Sequence, residues 1–162
     1  MAAKTSVGTM IETNPAWHAH WLKIARAYAD RSKDPSTKVG CIAVRDRAQI
    51  AAGYNGLPRG VVDHPDRYAD RDTKLAMTVH SEGNLVADAA RRGVSLDGAA
   101  VYITHPPCSH CAGLLIQAGV AKILHPPVER EFLARWDQKV QRQMYLETGV
   151  LCMEISEEIA SS

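Results

Sequence analysis

The sequence has almost no net charge and no long apolar run. Its 19 basic and 18 acidic side chains give a formal net charge of +1 at pH 7. Such a balance creates no electric field that would attract a polynucleotide or an acidic membrane surface. No apolar stretch approaches the ~20 residues that a membrane-spanning helix needs. We therefore expect neither a membrane nor a long nucleic acid among the partners of this chain.

Cysteine is scarce, and the first residues lack the features of an export signal. Residues 1–14 contain one lysine and no apolar segment of the kind found in secretory signals. The prediction is therefore a cytoplasmic, reducing location. There the four cysteines are expected to be metal ligands or buried thiols rather than a disulfide framework. Cys41 and Cys152 fall within predicted strands and are interpreted as core thiols.

What the sequence does contain is a regular alternation of helix and strand signals, without an internal repeat or a domain linker. Predicted helices cover residues 15–31, 81–92, 108–118 and 129–148, and predicted strands cover 39–45, 49–53, 100–104, 121–125 and 150–155. Strands separated by helices imply parallel pairing and a sheet covered on both faces. Residues 54–79 are irregular, as in long loops that are functional or disordered. The prediction is one α/β domain over residues 1–162, with loose termini at 1–13 and 156–162.

The first helix is predicted from its opening residues and from its apolar spacing. Asn14 and Pro15 favour a helix start, as the N-cap and the first helical residue. Trp17 and Trp21 recur at helical spacing and are predicted to pack against the core or an interface. His18 is predicted to lie on the helix surface.

Two short motifs, each predicted to begin a helix, carry the candidate chemistry. His80 and Glu82 belong to the first motif, and Cys108 and Cys111 belong to the second. One histidine and two cysteines supply three zinc ligands, and a catalytic zinc site leaves its fourth position to water. A neutral imidazole and two thiolates also balance the charge of Zn²⁺. Because Cys108 and Cys111 are three residues apart, they lie on one face of a helix.

Glu82 is predicted to act beside the metal rather than as a ligand. Residues two apart in a helix interior point roughly 200° away from each other around the axis. His80 and Glu82 can therefore serve one site only at the end of a helix, which is where the pattern places them. The carboxylate would then be a general acid/base that takes a proton from water and returns it to the substrate.

Two other interpretations of these motifs remain open. A closed structural zinc, in a non-catalytic domain used for assembly, would need a fourth protein ligand, and His105 and His110 are nearby candidates. A C-x-x-C pair also occurs as a redox pair. A closed structural zinc would give Glu82 no role, and a redox pair would leave the presence of the His80 motif unexplained.

The complete pattern resembles the cytidine and deoxycytidylate deaminase superfamily. H-x-E followed by P-C-x-x-C is the signature of zinc deaminases that act on cytosine or adenine. The similarity extends over about residues 21–155 and includes the segments SKDPSTKVGC, GYNGLPRG, HSEGN and LIQAGV. The GYNG segment and the long loop after it make the sequence most similar to the deoxycytidylate (dCMP) deaminases.

The resemblance implies a fold, an assembly and a substrate site. The fold is a three-layer cytidine-deaminase-like arrangement, with a mixed five-stranded sheet, helices on both faces and a last strand parallel to its neighbour. The assembly is a homo-oligomer, often a hexamer, regulated by dCTP and dTTP, with Mg²⁺ accompanying a nucleotide effector. The resemblance also implies that Asn55 bonds the nucleotide sugar and that the loop 32–38, with Ser36 and Lys38, lies near the phosphate.

The implied reaction is hydrolytic deamination of dCMP to dUMP and ammonia. One zinc ion is expected, because the long loop has no cysteine to bind a second ion. Ser81 replaces the alanine that is usual in the family, and Leu85-Val86 replaces the usual Ala-Ile. These changes keep other substrates open, namely 5-methyl-dCMP, cytidine, guanine or a tRNA adenosine.

Overall fold

The computed structural model describes residues 14–129, 131, 133 and 138–161. Its strands are β1 (Gly40–Arg45), β2 (Ala48–Tyr54), β3 (Ala100–Ile103), β4 (Lys122–His125) and β5 (Leu151–Glu154). Its helices within the described residues are α1 (Pro15–Ala29), α2 (Asp66–Ala69), α3 (Arg71–Met77), α4 (Ser81–Arg92), α5 (Ser109–Gln117), α6 (Gln138–Thr148) and α7 (Glu157–Ala160). None of these helices has the length and apolarity that a membrane crossing requires.

The strands form one mixed sheet in the order β2-β1-β3-β4-β5. Strand β1 pairs antiparallel with β2 and with β3, whereas β3, β4 and β5 are parallel to one another. The predicted five-stranded mixed sheet, with its last strand parallel to its neighbour, is confirmed. Because β3 and β4 are parallel, the segments that follow them leave the sheet at the same edge.

Alternating side chains of the central strands build a core on each face of the sheet. On one face Cys41 of β1 packs in a cluster with Leu85 of α4 and Leu115 of α5, and all three are fully buried. Tyr145 of α6 belongs to the same cluster. Packing of this face therefore fixes where α4 and α5 begin, and both candidate motifs lie at those beginnings.

Helix α1 covers the other face. Trp21 packs in a cluster with Ile42 of β1 and Tyr102 of β3, as predicted for this tryptophan. The prediction for His18 is wrong, because its side chain is buried and its Nδ1 lies 2.9 Å from the Tyr102 hydroxyl. A polar partner on the strand allows the imidazole to be buried at this position.

Residues 156–161, within the terminus predicted to be loose, include a short helix that packs against the fold. This segment contains α7, and Ala160 is buried in the cluster that includes Trp21. The Arg26 guanidinium also donates a hydrogen bond to the Ala160 carbonyl oxygen. Apolar burial and this bond hold the segment against α1. The other predicted loose terminus, residues 1–13, lies outside the described residues.

Two further predictions are corrected by the structure. The stretch 54–79 contains the short helices α2 and α3, and Asp70 caps α3 by accepting a 2.8 Å hydrogen bond from the Thr73 backbone. One of the charged residues in this stretch therefore serves as a helix cap. Cys152 is an exposed thiol rather than a core thiol, because it lies on the edge strand β5, whereas Cys41 is buried as predicted.

Candidate active site

The two motifs predicted from the sequence lie at the N-termini of α4 and α5. His80 is the N-cap of α4, with φ −64° and ψ 158°, and Cys108 is the N-cap of α5, with φ −70° and ψ 167°. Both residues therefore have extended backbone just outside their helices. Glu82 and Cys111 follow within the first turns. This placement allows His80 and Glu82 to serve the same site despite their spacing.

Three side chains converge with separations that fit a tetrahedral zinc ion. His80 Nδ1 lies 3.5 Å from Cys111 Sγ and 3.7 Å from Cys108 Sγ. Zinc bonds of ~2.3 Å to sulfur and ~2.1 Å to nitrogen at tetrahedral angles separate the two donors by about 3.6 Å. The ligand atoms of the three residues all lie within 4.8 Å of one another. The donor set and its spacing therefore fit Zn²⁺.

The same geometry favours the thiolate form of Cys108, one of the two thiolates that zinc requires. A hydrogen bond from Cys111, helped by His80, lowers the pKa of the Cys108 thiol to about 4. The bond to Cys108, together with burial, raises the pKa of Cys111 because Cys111 holds the shared proton. The hydrogen bond with Cys108 also raises the pKa of His80. A cation in the site would displace these protons and balance the two sulfurs.

No fourth protein ligand completes this cluster within the part of the chain that the structure describes. His105, a candidate for that position, has its Nδ1 3.1 Å from the Thr104 hydroxyl, and His110 is exposed on α5. A site with three protein ligands leaves a coordination position for water, as catalytic zinc sites do. The arrangement thus favours a catalytic site over a closed structural one.

Glu82 lies beside the sulfur and imidazole ligands and outside the ligand cluster. It is 4% exposed, and its Oε2 accepts a 2.8 Å hydrogen bond from the Ser81 hydroxyl. Burial raises the pKa of Glu82, although the bonds from its own backbone and from Ser81 oppose that rise. A buried carboxylate with a raised pKa next to a metal site is suited to accept and donate protons.

A cavity of about 460 Å³ opens at the carboxyl edge of the sheet. Two residues predicted to bind substrate, Ser36 and Lys38, line this cavity together with Thr37. Thr104 and His105 form another part of its wall, directly after β3 and shortly before Cys108. The cavity is large enough for a small-molecule substrate.

Asn55, which the family resemblance implies bonds the nucleotide sugar, is hydrogen-bonded to the backbone of the loop 32–38 and of Val39. Its side chain is buried, its Oδ1 accepts from the Val39 backbone at 2.8 Å, and its Nδ2 donates to the Thr37 carbonyl at 2.9 Å. The amide therefore fastens the loop 32–38 to the end of β2. The contact between Asn55 and a nucleotide sugar stays a prediction.

Sequence reasoning did not single out two further residues near the site, Thr104 and Gln141, and it considered His105 only as a possible zinc ligand. Thr104 could have been found, because residues that follow parallel strands at their carboxyl ends commonly bind ligands. Gln141 of α6 is 2% exposed and donates a 3.1 Å hydrogen bond to the Pro107 carbonyl, next to Cys108. Nothing in the local sequence marks that glutamine, since its partner is distant in the chain.

Three converging zinc ligands and a buried carboxylate on an α/β scaffold define a zinc-dependent hydrolase site. The family described as "Cytidine and deoxycytidylate deaminase zinc-binding region" matches residues 15–125. The chain belongs to this family. The match includes the first helix, the central strands and both halves of the zinc cluster.

Individual relatives are similar over most of this chain. "Uncharacterized deaminase in luxG 3'region" of Aliivibrio fischeri is 35% identical over 136 residues, which are 83% of this chain and 90% of that protein. A probable deoxycytidylate deaminase of Caenorhabditis elegans is 40% identical over 110 residues, 65% of this chain. The chain spans 55% of that nematode protein. The crystal structure of the dCMP deaminase of cyanophage S-TIM5 with dCMP and dUMP has a TM-score of 0.66 at 26% identity, covering 84% of this chain and 94% of that one.

Proposed function

We propose that this chain catalyses the hydrolytic deamination of dCMP to dUMP and ammonia. The observation that carries the proposal is the convergence of His80, Cys108 and Cys111 with the buried carboxylate of Glu82. The nematode relative is named as a probable deoxycytidylate deaminase, and the cyanophage enzyme was crystallised with dCMP and dUMP. These similarities favour dCMP over other substrates of the family.

In this mechanism His80, Cys108 and Cys111 would hold one zinc ion. Zinc bound there would supply a water with a pKa lowered toward ~7, which can act as a nucleophile at neutral pH. Glu82 accepts a proton from the attacking water and delivers it to N3 of the cytosine ring. After the water oxygen bonds C4, Glu82 carries the remaining proton of that oxygen to the amine, and the C4–N bond breaks to release ammonia. Burial keeps the Glu82 carboxylate away from bulk solvent, so that protons move between the water and the base.

The part of the cavity wall formed by the loop 32–38 suits a phosphate. Lys38 brings a positive charge to this part, and Ser36 and Thr37 bring hydroxyl groups, whereas the carboxylates of Glu129 and Glu131 line other parts of the wall. A phosphate group binds well to such a combination of a cation and hydrogen-bond donors. Asn55 hydrogen-bonds the backbone of the same loop. Its proposed contact with the sugar requires its amide to bond the sugar and the backbone at the same time. Positioning of the nucleotide by these groups would bring C4 to the attacking water.

Replacement of Glu82 by glutamine tests the proposed role of this carboxylate. Glu82→Gln removes the proton acceptor and leaves all three metal ligands in place. Zinc content should stay at one ion per chain, while ammonia release from dCMP should fall by at least about a hundredfold, the lower range for a general acid/base. Near-normal turnover with full zinc content would overturn the assignment.

A substrate panel tests the base and the phosphate. Ammonia release should be measured for dCMP, CMP, 5-methyl-dCMP, deoxycytidine and guanine under zinc-replete conditions. The proposal expects dCMP to have the highest kcat/KM and deoxycytidine, which lacks the phosphate, to be much poorer. A higher kcat/KM for deoxycytidine or guanine would assign the site to another member of the family. Tight zinc with no activity on any nucleotide would support the non-catalytic alternative.

Assembly, regulation and location stay predictions for this chain. We expect a homo-oligomer, with a hexamer as the specific expectation, and regulation by dCTP and dTTP with Mg²⁺ bound to the effector. We also expect a cytoplasmic protein. Light scattering of the purified chain, and activity measured with each effector in the presence and absence of Mg²⁺, would check the first two predictions.

A further inference from the structure

One wall of the cavity is a loop without helix or strand structure. Residues 30–39 connect the end of α1 to β1, and within the loop 32–38 the residues Ser36, Thr37 and Lys38 line the cavity. Because this loop has no ladder of hydrogen bonds with a neighbouring strand, side chains must fix its shape. The side chains that hydrogen-bond this loop therefore determine the shape of the proposed phosphate-binding part of the site.

Asp34 organises the loop from within. Its Oδ1 accepts hydrogen bonds from the backbone of Ser36 at 2.7 Å and of Thr37 at 3.1 Å. Its own backbone donates to the Ser32 hydroxyl at 3.3 Å. The two amides that Asp34 binds belong to residues that line the cavity. The carboxylate thus sets the turn that presents Ser36 and Thr37.

Lys74 of α3 reaches this carboxylate from the segment between β2 and α4. Its Nζ lies 2.7 Å from Asp34 Oδ1 and 3.1 Å from the Ser36 hydroxyl oxygen. The side chains of Lys74 and Asp34 are 14% and 6% exposed, so the pair is largely removed from water. Burial acts to raise the pKa of Asp34, but the bonds from Lys74 and the two amides keep it lowered. Loss of one partner would leave the other charge buried and unpaired.

A second ion pair joins the same two segments but is exposed. Lys33 Nζ lies 2.9 Å from Asp63 Oδ2, with side chains that are 65% and 33% exposed. Exposed pairs of this kind contribute little, because water screens the attraction. Lys33 is thus a natural control for Lys74: it has the same charge, and its ion pair joins the same two segments.

We propose that Lys74 is a positioning residue for the phosphate end of the substrate. It is not among the described residues that line the cavity, and it acts by holding Asp34 and Ser36 in place. The role of α3 is then to brace the loop that receives the nucleotide. The identity of the substrate in this inference rests on the proposed function. The contacts by which Lys74 holds the loop do not depend on it.

The test compares Lys74→Met with Lys33→Met in the full chain. For Lys74→Met, KM for dCMP should rise about tenfold or more, while kcat stays within about threefold and zinc content is unchanged. The reason is that the variant weakens binding of the substrate and of the transition state equally. Lys33→Met should leave both constants within about twofold. Lys74→Arg keeps the charge and should recover most of the affinity for dCMP.

Hydrogen–deuterium exchange provides a readout that does not depend on activity. The amides of Ser36 and Thr37 should exchange faster in Lys74→Met than in wild type, and should be unchanged in Lys33→Met. Unchanged exchange and unchanged KM in Lys74→Met would overturn the proposal. So would a loss of kcat at constant KM. If the wild type releases no ammonia from dCMP, the proposed function fails, and the exchange data still decide whether Lys74 holds the loop.

Discussion

The Ser81 hydroxyl donates a 2.8 Å hydrogen bond to Glu82 Oε2, and both side chains are buried at the start of α4. Neighbouring residues in a helix normally point in different directions, and the bond forms because both residues lie in the first turn. One carboxylate oxygen is therefore fixed by the residue before it.

Replacement of Ser81 by alanine should reduce turnover without loss of the metal. A hydrogen bond to a charged group contributes about 1.5–3 kcal/mol, part of which the backbone bond to Glu82 retains. We expect kcat for dCMP to fall about three- to tenfold, with KM and zinc content unchanged. Ser109→Ala is the control, because Ser109 has the same position in α5 and is exposed. Equal kcat values for the two variants would contradict the prediction.

Gly53 allows β2 to lie directly against α4. A Cβ atom at this position would be 2.2 Å from the Ser81 carbonyl oxygen and 2.5 Å from the Leu85 backbone nitrogen. Backbone atoms cannot rotate away as side chains do, so Gly53→Ala should lower the free energy of unfolding by at least about 2 kcal/mol. It should also reduce zinc content, because the displaced turn of α4 carries His80.

The same segment supplies a control for that substitution. A Cβ at Gly56 would only touch the Tyr54 ring, at 3.8 Å. Gly56→Ala should therefore change the free energy of unfolding by less than about 1 kcal/mol. Urea unfolding of both variants measures the difference. Similar urea midpoints for the two variants would show that β2 and α4 can move apart without a loss of folding free energy.

Sequence patterns were sufficient where the determining residues are close in the chain. The spacing of His80 and Glu82, and of Cys108 and Cys111, predicted two helix starts, and the structure has α4 and α5 beginning there. The sheet followed from the order of strands and helices and from the family resemblance. These features depend on caps and periodicity, which are local properties of the chain.

The remaining features depend on contacts between distant segments. Lys74 and Asp34 are 40 positions apart, and His18 and Tyr102 are 84 apart, so no local signal indicates either pair. Cys152 lies in a strand as expected, but only the sheet order shows that this strand is an edge. The burial of His18 and the exposure of Cys152 therefore depend on which segments pack against them in the folded protein.

Asp34 should make stability depend on pH in the acid range. Its pKa is lower in the folded protein than the ordinary value of 3.8, so its contribution is complete above that value and disappears as the pH falls through the lowered pKa. At pH 7, Asp34→Asn should lower the free energy of unfolding by about 1–3 kcal/mol, since the amide oxygen can still accept some of the bonds. The difference from wild type should shrink toward pH 3.

Urea unfolding at pH 7 and at pH 3 measures this dependence. Asp63→Asn is the control, because Asp63 belongs to the exposed pair with Lys33. That variant should differ little from wild type at pH 7. A difference between wild type and Asp34→Asn that stays constant with pH would mean that the charge of Asp34 does not contribute to folding.

Metal content should depend on Cys108 and not on Cys152. Cys108→Ser removes one of two thiolates, so less than about a tenth of a zinc ion per chain should remain after dialysis against a weak chelator. Cys152→Ser changes an exposed thiol on β5 and should keep one zinc ion. Zinc should also leave the wild type as the pH falls, because protons compete for the sulfurs and the imidazole. Full zinc content in Cys108→Ser would exclude the proposed ligand set.

Gln141 of α6 bonds the residue before Cys108, and we expect it to hold this zinc ligand in place. Its Nε2 donates to the Pro107 carbonyl at 3.1 Å, and its buried Oε1 has no hydrogen-bond partner among the described residues. Leucine has a similar volume and removes both the useful donor and the unsatisfied oxygen. Gln141→Leu should therefore change the free energy of unfolding by less than about 1 kcal/mol. Without the bond to Pro107, however, the Cys108 backbone loses a fixed position.

Zinc affinity should separate this supporting role from simple packing. Loss of groups that orient metal ligands typically weakens binding by about 10–100-fold, so the zinc dissociation constant of Gln141→Leu should rise by about tenfold. Competition with a chromophoric chelator measures this constant. Gln143→Leu is the matched control, because Gln143 lies exposed on the same helix and bonds Glu147. If both variants bind zinc as tightly as the wild type, the bond from Gln141 does not orient Cys108, and packing of α6 against α5 is sufficient to hold the ligands.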